Sequence, residues 1–274
     1  MEKLGEGTNG VVRKCKRTQN GEIFAVKSFS FDDEHLPGLK SNFLIMKRLK
    51  HPNIIKYEAL YIDLKKHQGW LVMEYAQLPS LEKVSVKSEE DIKNIMFQII
   101  ESLSYLHRQD IVHRDIKPEN ILYDPVSKTI KLIDFGISKR FRRRGTLIEM
   151  WTITGTLYYR APEMFSGGYR EHVDIWAAGI LLYKLVTGKT PFESEYHHKT
   201  IQNIRGAELS FPPEFNRFSS DLKSLLTLML SRNIEERPSS CTCIRFPWFS
   251  ILYSSTASKK GENKLNDKTL QMDR

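Results

Sequence analysis

Apolar residues recur along this 274-residue chain at two different periods, and the change of period divides it. Up to about residue 75 the apolar runs are short and strand-like. Residues 4–27 hold Val11-Val12 and Ile23-Phe24-Ala25-Val26, with Gln19-Asn20-Gly21 between them as a hairpin turn. Trp70-Leu71-Val72-Met73 predicts a further strand. Between these, Leu39, Phe43, Met46 and Leu49 stand three to four residues apart and predict a helix over 38–50. A longer stripe follows: Ile92, Ile95, Ile99, Leu103 and Leu106 predict an amphipathic helix over 89–108, with Ser88 in the N-cap position. Ile121-Leu122 and Ile130-Lys131-Leu132-Ile133 read as short strands. From about residue 173 the pattern is helical, including 173–187 and 220–231. Strands first and helices afterwards predict a small β-rich lobe followed by a larger α-rich one.

Composition excludes several alternatives. With 40% apolar and 27% charged residues, the chain is an ordinary globular one, not a disordered one. No internal repeat, coiled coil or Pro-rich tract is present. The three cysteines, Cys15, Cys241 and Cys243, form no C-x-x-C pair, so neither a disulfide framework nor a four-cysteine zinc site is expected. Met1-Glu2-Lys3-Leu4-Gly5 has no apolar core, so no secretory signal is expected. The longest apolar stretch, from Ile175 to Val186, is about 12 residues and contains Lys184; it predicts a buried helix and no membrane span. The net charge of +9 is concentrated: Lys139, Arg140, Arg142, Arg143 and Arg144 carry five positive charges, and 251–274 adds a net two. One compact cluster suits a local phosphate or other anion better than nucleic acid, which needs basic residues spread over a face. Residues 251–274 are expected to be a polar, basic, disordered tail. The cytosol is the expected location, and the basic cluster leaves the nucleus open.

Two segments carry candidate chemistry. Gly5-Glu6-Gly7-Thr8-Asn9-Gly10-Val11-Val12 follows G-x-G-x-x-G-x-V, in which glycines let backbone N–H groups approach phosphate oxygens. A dinucleotide fold would place a helix directly after it, whereas here a second strand follows. Lys27 ends the run Ala25-Val26-Lys27 and can hold phosphates as a point charge. Further on, His113-Arg114-Asp115-Ile116-Lys117-Pro118-Glu119-Asn120 is followed by Asp134-Phe135-Gly136. Two carboxylates and a carboxamide fit a Mg²⁺-assisted site, since Mg²⁺ takes few protein oxygens beside substrate phosphates. A carboxylate apart from the metal can accept a hydroxyl proton.

Taken in order, these motifs resemble those of eukaryotic protein kinases. The match runs from residue 4 to about 249 and includes Gly155-Thr156, Arg160-Ala161-Pro162-Glu163, Asp174-Ile175-Trp176, Gly179 and Arg237-Pro238. The resemblance implies a two-lobed α+β kinase fold over 1–250, with an N-lobe over 1–75 and a C-lobe over 76–250. It implies ATP and Mg²⁺ as cofactors and protein Ser/Thr hydroxyls as acceptors. By the same resemblance Asp115 is the catalytic base, Lys117 steadies the γ-phosphate, and Asn120 and Asp134 hold Mg²⁺. Lys27 meets the α- and β-phosphates, and the loop with Gly5, Gly7 and Gly10 covers them. Leu4, Val12, Ala25 and Leu122 sandwich adenine, Met73 is the gatekeeper, and Glu74-Tyr75-Ala76 is the hinge. Arg237 would pair with Glu163. Lys117 with Thr156 resembles the Ser/Thr type. The ending Phe246-Pro247-Trp248-Phe249 resembles the calcium/calmodulin-dependent group, and Tyr159-Arg160 the cyclin-dependent and MAP kinase group. No D-x-D-x-D-G calcium loop is present.

Three departures stand out. Helix 38–50 should offer Lys27 a Glu, but that position is Asn42, on the apolar face and directed inward. Lys27 is then left to Asp134, to an acidic residue of 32–34, or to a loose arrangement. The chain opens at the glycine run, so Leu4 and the loop should be poorly anchored. Lys184 stands where relatives directed to basic substrates often carry an acid, although Glu119 still favours such substrates. Between Asp134 and Glu163, Thr146, Thr152 and Thr154 are candidate phosphosites, for an activating kinase or self-modification, whose phosphate would meet Arg114 and cations such as Lys139. The primary expectation is an active kinase. The alternative is an attenuated or pseudokinase-like nucleotide-binding scaffold, for which Asn42 speaks. A small-molecule phosphotransferase is disfavoured by the complete segment through Ala161-Pro162-Glu163.

Overall fold

The first 75 residues build one antiparallel sheet. The computed structural model describes residues 2–7, 10–143 and 145–255. The strands are β1 (Lys3–Gly7), β2 (Gly10–Lys16), β3 (Ile23–Ser30), β4 (Tyr57–Asp63) and β5 (Gln68–Glu74), in the order β1-β2-β3-β5-β4. Because side chains alternate across a strand, one sheet face presents Val12, Ala25, Lys27, Leu71 and Met73. Gln19-Asn20-Gly21 turns as expected, with Gly21 at φ +76° and its N–H donating to the Arg17 carbonyl at 2.9 Å. The expectation of a poorly anchored start is corrected. β1 pairs with β2 from Lys3↔Arg13 onward, and Lys14 N–H donates to Glu2 O at 2.8 Å. Leu4 sits at an irregularity in this pairing and stays 39% exposed.

The sequence pattern does not predict β4, for a local reason. Its register against β5 shifts between Tyr57 and Ala59, which breaks the two-residue period. Helix α1 spans Leu36–Met46, not 38–50. Pro37 suits its first turn, and the chain leaves the helix through tight turns at 47–49 ahead of Pro52. Of its expected stripe, Met46 and Leu49 are buried while Leu39 and Phe43 are half-buried.

Helices dominate the second part. α2 (Glu89–Arg108) has the predicted bounds, and the Ser88 hydroxyl accepts the Asp91 N–H at 3.0 Å. Short strands β6 (Ile111–Val112), β7 (Ile121–Asp124) and β8 (Thr129–Leu132) bracket the motif-bearing loops, and β7 pairs with β8. β9 (Lys139–Arg140) pairs with β6, and β10 (Arg142–Arg143) forms a small hairpin with β11 (Thr146–Leu147). Then follow α3 (His172–Thr187), α4 (His197–Gly206), α5 (Ser220–Met229) and α6 (Ser240–Cys243). α3 is buried on nearly all sides, from Val173 through Tyr183, so it reads as a continuous apolar run. Fully buried Ile92, Ile99, Leu103, Trp176, Ile180, Leu222 and Phe249 place the core where α2, α3, α5 and the chain near 249 meet.

This is the small β-rich lobe followed by a larger α-rich lobe that the change of hydrophobic period predicts. The expectation of disorder from 251 is corrected over its first five residues: 251–255 are helical, and Leu252 and Tyr253 pack against the core. The rest of that tail (256–274), Thr8 and Asn9 of the glycine loop, and Arg144 of the basic cluster lie outside the described residues. No described helix is long and apolar enough to cross a membrane.

Candidate active site

A cleft of about 670 Å³ opens where the sheet faces β7 and the loop after β8. Leu4, Val12, Ala25 and Met73 line it from the sheet and Leu122 from β7. Gly5, Lys27, Glu74, Ala76, Asn120 and Asp134 also border it. Ile55, Tyr57, Leu71 and Ile133 complete the apolar wall and went unnoticed in the sequence. In the sequence Leu71 stands two residues before Met73, on the same face of its strand, and Ile133 directly precedes Asp134. Gly10 does not line this cleft; it borders a larger cavity of about 970 Å³ that also reaches Arg13, His35 and Trp70. A Cβ on Gly10 would lie 2.0 Å from the Ser28 carbonyl oxygen, at φ +122°, so the turn into β2 requires glycine. The Glu74 side chain is turned aside, accepting the Lys56 N–H at 3.1 Å and pairing with Lys131 at 2.7 Å.

At the inner end of the cleft, Lys27 Nζ donates to both carboxylate oxygens of Asp134 at 2.9 Å. Of the partners left open for Lys27, this is the one formed. Asp32 instead bonds His35, and Asp33 lies 3.7 Å from His67. Burial pushes the Asp134 carboxyl up, but the charge and hydrogen bond of Lys27, with the Gly136 N–H, outweigh it and hold the group below its usual range. Asn42 is directed inward as expected: with Met46 it lines a small cavity against Phe135, Ser138 and Lys139. Phe135 is fully buried between the rings of His113 and Tyr57, at 4.6 and 6.0 Å.

The second cluster centres on Asp115. Its Oδ2 accepts from Asn120 Nδ2 at 2.7 Å and lies 3.0 Å from Lys117 Nζ. Its Oδ1 accepts from the Thr156 N–H at 3.3 Å and hydroxyl at 3.2 Å. Lys117 Nζ also donates to Thr156 Oγ1 at 2.8 Å. Asn120 Nδ2 donates a second bond to the Asp115 carbonyl at 2.9 Å. Both partners are acceptors, which fixes the amide orientation and leaves Asn120 Oδ1 as the oxygen able to meet a cation. Among the described residues no group of three or more His, Cys, Asp or Glu is placed to hold a metal. Asn120 Oδ1 and the Asp134 carboxylate, which border the same cleft, are the oxygens that could hold a Mg²⁺ there beside water and phosphate oxygens.

Residues that carry none of the expected roles hold this loop in shape. Asp174, 1% exposed, accepts from the N–H groups of His113 and Arg114 at 2.8 Å each and from His107 Nε2 at 3.0 Å. Burial opposes the Asp174 charge, but the hydrogen bond and charge of His107, with the His113 N–H, hold it below its usual range. These bonds fasten Arg114 at φ +69°, a conformation unusual for a side-chain-bearing residue. His113 Nε2 donates to Ile133 O at 3.1 Å while its Nδ1 accepts the Asp115 N–H at 3.3 Å. Burial lowers the imidazole below its ordinary value, so the ring is neutral and that tautomer is fixed. The expected pair Arg237–Glu163 forms with both carboxylate oxygens, at 2.6 and 3.1 Å, and Arg237 stacks 5.1 Å from Trp176. Lys184 bonds Glu82 at 3.0 Å. Thr146 and Thr152 are exposed and Thr154 is half-exposed.

The profile described as protein kinase domain matches residues 1–249. Calcium-dependent protein kinase 5 of Plasmodium falciparum is 34% identical over 276 residues, covering 98% of this chain and 46% of the relative. Calcium-dependent protein kinase 27 of Arabidopsis thaliana is 34% identical, over 90% of this chain and 53% of the relative. The serine/threonine-protein kinase cds1 of Schizosaccharomyces pombe is 32% identical, over 90% of this chain and 57% of the relative. The chain thus spans about half the length of these relatives.

Proposed function

This chain belongs to the protein kinase family, and on that premise we propose that it is a Ser/Thr protein kinase, moving the γ-phosphoryl group of ATP to protein hydroxyls. The observation that carries this reading is the convergence of Lys117, Asn120 and Thr156 on the Asp115 carboxylate, beside a cleft whose inner end holds Lys27 and Asp134. Leu4, Val12, Ala25 and Leu122 would enclose the adenine ring, with Met73 behind it and the backbone of 74–76 at its edge. Lys27 would hold the α- and β-phosphates, and Asp134 with Asn120 Oδ1 would hold Mg²⁺. When bound there, Mg²⁺ supplies charge neutralisation along the phosphates. Asp115 accepts the proton of the attacking hydroxyl, kept in orientation by Asn120 and Thr156. Lys117, within reach of both Asp115 and Thr156, steadies the phosphoryl group as it moves. Glu119, exposed beside this loop, favours a basic substrate residue, while the Lys184–Glu82 pair blunts that preference. Thr146, Thr152 and Thr154 are the hydroxyls we assign to an activating kinase or to self-modification.

A second reading rests on Lys27. Its partner is the very carboxylate assigned to Mg²⁺, and Asn42 offers no competing acid. A scaffold that binds nucleotide without turnover would keep that pair closed. The test is transfer of labelled γ-phosphate to mixed protein substrate, followed by phosphoamino-acid separation. The proposal expects label on Ser and Thr that vanishes with Asp134→Ala or with chelated Mg²⁺. Nucleotide binding with no label in the wild type would favour the scaffold.

A further inference from the structure

Arg114 precedes the proposed base, and its side chain reaches into the segment between Asp134 and Glu163. There Arg114 Nε donates to the Ile137 carbonyl at 2.5 Å, and Nη1 donates to the Tyr169 hydroxyl at 3.2 Å. The same hydroxyl donates to the Thr152 carbonyl at 2.6 Å. Tyr169 also grips the segment through its backbone. Met150 N–H donates to Tyr169 O at 2.9 Å, and Tyr169 N–H to Met150 O at 3.0 Å. The side chain is 2% exposed, so it fills the space it occupies. Beyond Thr152, Arg160 holds the carbonyls of Thr154 and Gly155 at 3.1 and 2.7 Å. Thr156 then meets Asp115. Gly155, at φ +78°, approaches Arg114 so closely that a Cβ would lie 2.5 Å from the Arg114 carbonyl oxygen.

We propose that Tyr169 is a positioning residue that clasps the segment onto Arg114 without any phosphate, so that Thr156 reaches Asp115 in the unmodified chain. The phenol accepts from a cation and donates to a carbonyl, which satisfies its hydrogen-bonding capacity without adding charge. A phosphate meeting Arg114 would satisfy the same guanidinium, but Nε and Nη1 are already engaged by Ile137 and Tyr169. The backbone bridge between Met150 and Tyr169 holds the segment beside Tyr169, and the hydroxyl extends that hold to Thr152. The clasp rests on the kinase reading only for its consequence, namely the rate. The order of residues 150–156 is independent of it.

The experiment uses the full chain, treated with a protein phosphatase and verified free of phosphate. Wild type, Tyr169→Phe and the triple variant Thr146→Ala, Thr152→Ala, Thr154→Ala are compared by hydrogen exchange over 150–156 and by peptide phosphorylation. Tyr169→Phe removes one oxygen and keeps the ring, so its melting temperature should stay near that of wild type. The clasp predicts that 150–156 is protected in wild type and in the triple variant, and exchanges about tenfold faster in Tyr169→Phe. It also predicts a kcat for Tyr169→Phe lower by about tenfold, with KM for ATP unchanged, because the cleft lining is untouched. Equal exchange in wild type and Tyr169→Phe overturns it. So does protection that appears in wild type only after one of the three threonines is phosphorylated, since the phosphate is then the clasp. Protection lost in Tyr169→Phe while no form transfers phosphate upholds the clasp and removes the kinase reading instead.

Discussion

A single buried carboxylate shows how much of this site is built from residues that do not touch its chemistry. Asp174 accepts three donors, two of them backbone N–H groups of the loop that carries Asp115, some 60 residues earlier in the chain. Asp174→Ala would orphan all three, each costing about 1–3 kcal/mol when buried, so we expect a loss of at least about 3 kcal/mol in urea unfolding. A loss below about 1 kcal/mol would mean that water replaces the carboxylate. His113 gives a pH dependence. Burial holds its imidazole below the ordinary 6.5, so the unfolded chain takes up a proton that the folded chain refuses. More protons on the unfolded state means that stability rises with pH. This contribution is complete above 6.5 and declines as the pH falls below it, by at most about 1.4 kcal/mol per pH unit. His172, also lowered by burial, acts in the same direction. Asp134 and Asp174, held low, add their own decline only below their ordinary 3.8. The urea midpoint should therefore drop between pH 7 and 5.5, less steeply in His113→Asn, and an identical slope in that variant would dismiss His113 as a cause. At this scale the sequence named Asp115, Lys117, Asn120 and Asp134 because they lie within short motifs. It did not name the bonds of Asp174 or Tyr169, or that of His113 to Ile133, because those partners are far apart in the chain.

Among the elements, α2 was legible to its ends because a cap, a stripe and a break coincide there. α1 was not, because its exposed face and its pairing with the segment after Asp134 are tertiary matters. β4 escaped through the shift in its register, and the hairpin of β10 and β11 through its charged sequence. The consequence for function lies in α1. Asn42 faces Phe135, Ser138 and Lys139 and supplies no charge, which leaves Lys27 to Asp134. Asn42→Glu would offer Lys27 a second acid and free Asp134. We expect kcat/KM for ATP to rise about fivefold, the factor carried by a partly buried pair worth about 1 kcal/mol. An unchanged or lower value would show that Lys139, which borders the same cavity, captures the new carboxylate. In the larger lobe, Arg237 joins the turn holding Glu163 to the loop before α6, with no exposed side-chain surface of its own. Removing one partner of such a buried pair costs about 3–5 kcal/mol, so Arg237→Ala should lower the unfolding midpoint sharply. A shift of less than about 1 kcal/mol would imply that Glu163 finds another donor.

At the scale of the whole molecule, the division into a β-rich and an α-rich lobe follows from the change of hydrophobic period near residue 75, and the structure places the cleft at that division. The motifs then fall on both of its walls: the sheet supplies Val12, Ala25 and Lys27, and the loops around β7 supply Asn120, Leu122 and Asp134. What the linear pattern did not contain is how the segment between Asp134 and Glu163 folds back so that Thr156 meets Asp115. That return path depends on Asp174, Arg114 and Tyr169 together, residues that no local periodicity connects. The central claim is that Asp115 accepts the proton of a substrate hydroxyl in phosphoryl transfer. The most direct measurement is kcat for a Ser-containing peptide at saturating ATP and Mg²⁺, for wild type against Asp115→Asn. A base at Asp115 predicts measurable transfer by the wild type and a fall of about 10²–10⁴-fold in the variant, with KM for ATP retained. Equal turnover by the two proteins would contradict it.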